Sequence, residues 1–530
     1  MSVRTILVAL SMGRSSAAIR CRYPAALLLT LLAVHLMDCR TALATQFFVD
    51  LSGNNANAGS ALAPWRTLQY AADHVGPGDF VTVEPGSYAG FQLETSGTLA
   101  APIEFFAQPG VYITQPVPVR GDGINLEGAS HIIIDGFNVA GMPHAGVRSV
   151  GVDGDQFASH VTIRNVRSYN NTYWGILTGF VDDLLIENNE TSGSTIEHGI
   201  YVSNSGDRPI IRNNISWGND RNGIHVNGDA EQGGDGIISG ALIAGNIIYD
   251  NGLDGGSGIN MDGVQNSRIE NNLLYNSHSS GISLYRIDGG GSSTGNVVVN
   301  NTIHVADDGR WALNIQDGST GNTAYNNILV SEHSFRGAID VSADSLPNFT
   351  SDYNVVIDKF SADDTFRTFT QWRNETGQDA HSIVADPDTL FQNWPAGNYE
   401  LVSTAAARDN GTNTLAPLVD LTGKHRPIGP KFDVGAYEFG LAPIPGDFNG
   451  NGIVNAADYT LWRNGLGSMY TAANYNTWKS HFGESNGSGS AAGPSPTALS
   501  SAGGSLVPEP RALQFLLIGG TWLLGLIRKK

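Results

Sequence analysis

Lysine is almost missing from this chain of 530 residues, and none occurs before Lys359. No lysine base can therefore operate in the first two thirds of the sequence. Cysteine is just as scarce. The only two, Cys21 and Cys39, lie in the first 44 residues, so neither disulfides nor thiol chemistry can serve the remainder of the chain. Positive charge is also short, with a formal net charge of −20. The first 44 residues hold Arg4, Arg14, Arg20, Arg22 and Arg40 against Asp38, a local +4 that leaves −24 for the other residues. Such acidity argues against nucleic acid as a partner. It also means that an anionic polymer could bind only where Arg or a metal ion bridges locally. Finally, the leucine pattern of a leucine-rich repeat is absent. So is the 3.6-residue period of a helical repeat, which would tolerate few of the 65 glycines.

What is present is a recurring phrase of aliphatic, any residue, Asn, Asn. It reads Ile186-Glu187-Asn188-Asn189, Ile211-Arg212-Asn213-Asn214 and Ile269-Glu270-Asn271-Asn272. Looser copies are Ile134-Asp135-Gly136-Phe137, Ile163-Arg164-Asn165-Val166, Ile243-Ala244-Gly245-Asn246, Val298-Val299-Asn300-Asn301 and Ala324-Tyr325-Asn326-Asn327. Steps between copies run from 23 to 32 residues. Units of this size that cannot bury an apolar face alone form a stack with one long core. A second phrase alternates with the first: Gly175-Ile176, Gly199-Ile200, Gly223-Ile224, Gly258-Ile259 and Gly281-Ile282, with Ala312-Leu313 as a variant. Two or three short strands per unit match one coil of a parallel β-helix. Asn tolerates left-handed backbone and can stack its amides in ladders, so the Asn pairs are expected to build turns rather than chemistry.

The flanks divide the chain further. Residues 1–44 read as a secretory leader, with basic residues, an apolar run and Ala42-Leu43-Ala44 as cleavage site. Residues 45–119 hold the first rungs and a short helix after the N-cap Thr67, with Leu68, Ala71, Ala72 and Val75 on one face. That helix suits a cap over an open apolar end. The repeat governs 120–345, and 346–440 are the last rungs and C-terminal cap. Residues 441–483 form a small helical module, 484–506 a Ser/Gly/Ala/Pro linker, and 507–530 a terminal signal.

Alternation along the Gly-Ile strand sends Ile200, Ile224, Ile259, Ile282 and Leu313 inward with Val202, Val226, Met261, Leu284 and Ile315. The outward neighbours form two columns. One is Leu177, Tyr201, His225, Asn260, Ser283, Asn314; the other is Gly179, Ser203, Asn227, Asp262, Tyr285, Gln316. A rigid strip rich in Tyr, His, Asn and Asp suits a polysaccharide groove, where rings carry sugars and amides and carboxylates meet hydroxyls. Loops after the strand add Asp207, Arg208, Asp229, Glu231, Asp235, Arg286 and Asp288. His198, before Gly199, reads as a packing residue beside Trp174.

The segment 447–458 places oxygen side chains at Asp447, Asn449, Asn451, Asn455 and Asp458, a backbone carbonyl at Ile453, and Gly at the sixth position. That is the spacing of a calcium loop. With Asp at its twelfth position and a following helix that carries Trp462, it resembles a type I dockerin repeat. The resemblance implies one bound calcium ion and a cohesin-like partner. Val507-Pro508-Glu509-Pro510, an apolar run over 513–527 and Arg528-Lys529-Lys530 resemble the PEP-CTERM sorting signal. This implies an exosortase-type processing enzyme, a place in the outer envelope or at the surface of a Gram-negative-type bacterium, and membrane contact only through that tail.

The coil pattern and end phrases over 45–345 resemble the right-handed parallel β-helix superfamily of pectate-lyase-like enzymes, polygalacturonase-like hydrolases and uronan epimerases. The resemblance implies an all-β solenoid. The Asp-Pro-His-Asp motif of alginate epimerases is absent, since the matching stretch reads Gly199-Ile200-Tyr201-Val202-Ser203-Asn204. Three functions stay open. The first is β-elimination on a uronic-acid glycan, with His225 or Arg286 as base, Tyr201 as acid, and Arg208 or a calcium ion in the groove neutralising the carboxylate. Ser203, Asn227, Asn260 and Tyr285 would line the substrate. The second is glycoside hydrolysis by Asp262 with Asp229 or Asp235. The third is glycan binding without turnover.

Overall fold

The computed structural model describes residues 44–440 and 444–485, apart from 155, 451 and 468. The expected leader, linker and sorting signal lie outside the described residues in all but their edge positions, and so does Asn451. Among the described residues no helix is long and apolar enough to cross a membrane.

The chain winds through three sheets of twelve strands each. One coil shows the path. Leu185–Glu187 belongs to the first sheet, Glu190–Ser192 to the second and Ile200–Asn204 to the third, after which Ile210–Arg212 returns to the first. Neighbours pair in parallel throughout, except that Thr365–Arg367 closes the third sheet antiparallel to Phe360–Ala362. The second sheet had no phrase of its own. Its strands begin directly after the Asn pair, because one left-handed residue suffices to turn the corner.

The two asparagines of the phrase do different work. The first adopts left-handed backbone, with φ of 57° at Asn188, 56° at Asn213 and 53° at Asn271. The slot explains the looser copies, since Gly136 (φ 84°) and Gly245 (φ 65°) stand there too. The second asparagine turns inward and stacks. Asn246 Oδ1 accepts from both the N–H and the Nδ2 of Asn214, at 2.9 and 3.0 Å. Its own N–H and Nδ2 donate to Asn272 Oδ1, both at 2.9 Å, and Nδ2 also reaches Ile211 O at 2.9 Å. The same bonds link Asn189, Asn214, Asn246, Asn272, Asn301, Asn327 and Asn354 in an unbroken buried ladder.

Beside it Ile163, Ile186, Ile211, Ile243, Ile269 and Val298 stack in the core. All the residues expected to point inward from the Gly-Ile strand are buried. The glycine before each isoleucine is steric. A Cβ on Gly199 would lie 2.1 Å from Ser216 Oγ, and one on Gly281 would lie 2.3 Å from Ile303 Cγ2.

Helix α1, Leu68–Ala72, packs Leu68, Ala71 and Ala72 against the first coils, and the Thr67 hydroxyl accepts from Tyr70 N as its N-cap. Helix α2, Phe369–Thr376, lays the fully buried Trp372 on Phe360 at the last coils. The segment 403–438, part of the 346–440 stretch expected as last rungs and C-terminal cap, does not close the end of the stack. It runs along the outer side of the coils, where its carbonyls at Val419, Asp433 and Thr412 accept from the turn asparagines Asn271, Asn300 and Asn326. A buried Arg426–Glu438 pair at 2.9 Å fixes it, and Arg426 also donates to Asn271 Oδ1. On the second sheet Trp217, Tyr249 and Tyr275 stack face to face, 5.8 and 4.9 Å apart. In the small module, α3 (Ala456–Asn464) and α4 (Ala472–His481) enclose Val454 and Trp478.

Replacing Asn246 by Ala leaves the Asn214 amide without its acceptor in a dry interior. The expected cost is about 2–4 kcal/mol of unfolding free energy, read from the denaturant midpoint. A loss below about 1 kcal/mol would mean that the ladder does not hold the stack.

Candidate functional site

Strand register decides which outward side chains meet. Tyr201 pairs with His225, His225 with Asn260, and Asn260 with Ser283; Ser203 pairs with Asn227, Asn227 with Asp262, and Asp262 with Tyr285. Both columns thus exist as expected. A cavity of about 350 Å³ opens over them, with Tyr201, His225, Asn227, Asn260 and Tyr285 in its lining. Five of the nine predicted catalytic and substrate-lining residues are brought together there.

The other four are placed differently. The Asp262 carboxylate is enclosed by the loop after its neighbour strand, accepting N–H bonds from Ile287, Asp288 and Gly289 at 2.9–3.0 Å. Burial pushes its pKa up while those bonds oppose the shift. The loop occupies both of its oxygens, which makes it a loop anchor rather than a catalytic acid. Ser203 donates back to Thr178 O at 2.8 Å. Arg208 forks onto Asp183 at 2.7 and 3.1 Å, away from the cavity lining. Arg286 is exposed outside it, with Nε on Gly289 O. The acids considered for hydrolysis are also occupied in turns, Asp229 with Glu231 N and Asp235 with Ile237 N.

Besides Arg221, Asp254 and Asp288, three further residues that the outward columns omitted line the wall: Glu197, His198 and Asn222. They lie just N-terminal to the Gly-Ile glycines, and extending the columns across the glycine would have found them. Together they dictate the proton on His225. Asn222 Oδ1 accepts from Ser257 N, so its Nδ2 faces His198. Both that Nδ2 and Asn222 N lie 3.3 Å from His198 Nδ1, which must therefore be the bare acceptor. The His198 proton is then on Nε2, 3.0 Å from His225 Nδ1 and 3.3 Å from Glu197 Oε2. His225 Nδ1 accepts, and its own proton is on Nε2. That atom is buried and has no partner among the described residues. His225 presents a neutral donor at the cavity wall, and the base role expected for it would require this chain of protons to reverse.

The tyrosines follow the same logic. Tyr201 Oη accepts from Asn227 Nδ2 at 3.0 Å and Tyr285 Oη from Asn260 Nδ2 at 2.8 Å. In this amide orientation each hydroxyl proton is free for a ligand. Burial pushes Tyr201 up to about 12 and raises Tyr285 as well, so both stay protonated at neutral pH. Tyr201 stacks between His225, 5.0 Å away, and Trp174, 5.9 Å away. Burial raises the Glu197 carboxyl above its ordinary value, opposed by Arg221. The cavity therefore has a floor of neutral donors, with the carboxylates of Glu197, Asp254 and Asp288 and the Arg221 guanidinium also in its lining.

In the small module the calcium-type loop is folded about its two carboxylates. Asp447 Oδ2 accepts from Gly452 N at 2.6 Å, and Asp458 accepts from Asn449 N and Asn455 N at 3.0 and 2.8 Å. Gly450 and Gly452 take φ of 67° and 78°, and Asn455 caps α3 through Ala457 N. Among the described residues no three His, Cys, Asp or Glu side chains cluster as a metal site, so a cation in this loop would need amide and carbonyl oxygens besides the two carboxylates.

A family model for the right-handed β-helix region matches residues 117–234 and 194–355. Among solved structures the chain is similar to the pectate lyase Pel9A, at 16% identity and TM-score 0.52, over 75% of this chain and 97% of that one. A rhamnogalacturonan lyase is similar at 16% identity and TM-score 0.41 over 54% and 82%, and XylC in complex with xylose at 10% and 0.47 over 74% and 98%. No curated protein matches the chain. These findings establish a right-handed parallel β-helix with pectate-lyase-like structural neighbours.

The proton placement has a measurable consequence. Desolvation lowers His198 well below 6.5 and His225 to about 3. In ¹⁵N imidazole spectra His225 should stay neutral, with the proton on Nε2, from pH 8 down to about pH 4. The unfolded chain binds these protons first, so stability is complete above about pH 6.5 and declines as pH falls toward about 3. His225→Gln should flatten that decline. A His225 that titrates near 6.5 would contradict the relay.

Proposed function

We propose that this right-handed β-helix is an exported polysaccharide lyase that cleaves a uronic-acid glycan by β-elimination. The observation that carries the reading is the convergence on one cavity floor of the Tyr201 and Tyr285 hydroxyls with His225, whose Nε2 is buried without a partner among the described residues. Elimination needs a donor for the leaving oxygen, donors for the carboxylate as its α-proton departs, and a base. Tyr201 suits the first role. Its hydroxyl is protonated, and Asn227 fixes it from the acceptor side. His225 Nε2–H, with the Tyr285 hydroxyl, suits the second, because neutral fixed donors stabilise an enolate without reorganising. Glu197 suits the third, since a carboxylate raised by burial is a stronger base than a free one.

Hydrolysis is the weaker reading. It asks for two carboxylates flanking the bond, and Asp262 is held in its loop by three N–H bonds. Lyases and hydrolases both occur among the structural neighbours, so the fold favours neither.

The tail and leader phrases support a place outside the cytoplasm, with sorting at the C-terminus by an exosortase-type enzyme. A native mature chain with the mass of the full sequence would count against this. The small module holds one calcium ion through Asp447, Asn449, Asn451, Ile453 and Asp458, with Asn455 at its edge, and offers a surface to a cohesin-like domain. Calcium should raise the melting temperature of the module in the full chain and a chelator should lower it. Asp447→Ala should abolish the difference, whereas a calcium-independent melt in the natural chain would sink the site.

The central test incubates the full chain with acidic and neutral glycans. Unsaturated uronate absorbance is expected from an acidic one. New reducing ends without that absorbance would make it a hydrolase, and retention on glycan without turnover a binder. Tyr201→Phe and Glu197→Gln should each lower kcat by about 10²–10⁴-fold. The rate should fall as pH drops through the raised Glu197 pKa.

A further inference from the structure

A second cavity, of about 390 Å³, lies farther along the same sheet, with Arg310, Trp311, Phe335, Arg336, Asp340 and Phe366 in its lining. Its floor continues the column of the first. His225 pairs with Asn260, then Ser283, Asn314 and Asp340 in register. Four rungs separate His225 from Asp340 by roughly 19 Å at about 4.8 Å per rung, and the strand Ser280–Tyr285 borders both cavities.

The arginines here, like Arg286, differ from five others on the coils. Arg148, Arg164, Arg167, Arg208 and Arg212 are each bound to a carboxylate within 3.0 Å. Among the described residues, Arg310 and Arg336 have no carboxylate within salt-bridge distance. Arg336 donates to Gly309 O, at 3.4 Å, and rests over the Phe335 ring. Asp364 also lines the cavity, and Arg336 acts electrostatically on Asp340, yet neither guanidinium is tied up in an ion pair, so both keep forked donors for an anion. Phe335 and Phe366 are 59% and 51% exposed, large apolar faces open to solvent. Below them Asp340 is only 6% exposed. Its Oδ2 accepts from Gln316 Nε2 at 3.1 Å, and the hydroxyl of Ser361, its register partner, opposes the rise that burial causes in its pKa. A buried carboxylate beneath aromatic faces and two arginines is complementary to a sugar ring that carries both hydroxyls and a carboxylate.

We infer that this cavity is a distal anchoring site for a uronate residue of the same glycan chain, bound through its carboxylate by Arg310 and Arg336. The inference rests on the uronic-acid reading of the first cavity, and it adds a length requirement. A chain long enough to reach both cavities binds the second at high effective concentration, so affinity rises sharply at that length.

The test uses the full chain and size-fractionated oligosaccharides of polygalacturonate, polymannuronate and polyguluronate, each with its carboxyl-reduced counterpart, measured by calorimetric binding. For at least one acidic series, affinity should step up once the oligosaccharide spans both cavities. Arg310→Ala with Arg336→Ala should remove the step, weakening the long acidic oligosaccharide by at least about tenfold while short ones bind as before. Arg310→Lys with Arg336→Lys should restore most of it, which separates lost charge from lost fold. A step that survives the double alanine variant would overturn the inference. So would equal binding of acidic and reduced chains in all three series. Turnover is scored separately, because a length step without unsaturated product refutes the elimination and leaves the distal site standing.

Discussion

A parallel stack of short strands has no intrinsic stop against slippage, because each coil offers the next the same backbone groups at every register. Here the stop is the ladder of buried asparagine amides from Asn189 to Asn354. Each side chain occupies an N–H, an amide and a carbonyl of neighbouring coils at once. Sliding one coil by a residue would strand all three in a dry interior, and an unpaired buried polar group costs far more than a formed bond returns. The ladder therefore fixes register, and register fixes everything outside the core.

What it fixes is chemically specific. Columns that would otherwise be a generic polar sheet become diagonal pairs, with Tyr201 on Asn227 and Tyr285 on Asn260. In both, the amide donates to the tyrosine oxygen and leaves the hydroxyl proton outward. The same registry sets Asn222 against His198 and His198 against His225, and so decides the proton of a ring that Asn222 does not touch. The first cavity thus has neutral donors on its floor, and Arg310 and Arg336, without a carboxylate within salt-bridge distance among the described residues, stand farther along the same face.

Much of this was legible in the sequence, for a physical reason. The left-handed slot admits only Asn or Gly cheaply, so Asn188, Asn213, Gly136 and Gly245 announce the turns. The crowded corner favours Gly, with Ala312 as the exception, so Gly199 and Gly281 announce the third sheet. With both periods known, alternation alone sorted Ile224 inward and His225 outward. The second sheet was not legible, because its strands start immediately after the turn and carry no mark of their own. Asp262 and Arg208 look identical to available side chains until the loop of 287–289 and Asp183 are seen to occupy them. The relay was missed because Glu197, His198 and Asn222 precede the glycine, where the alternation restarts. Segment 403–438 looked terminal by position, and only its bonds to Asn271, Asn300 and Asn326 show that it lies alongside.

If the third sheet carries the glycan, the second must not. Yet the second sheet offers a rival, since Trp217, Tyr249 and Tyr275 present a stacked aromatic face suited to sugar rings. A crystal structure of the full chain bound to an acidic oligosaccharide decides between them. A uronate is expected over Tyr201, Asn260 and Tyr285, with its carboxylate near His225 Nε2. An oligosaccharide laid along Trp217 and Tyr249, with the Tyr201 cavity empty, would contradict the third sheet as the binding face.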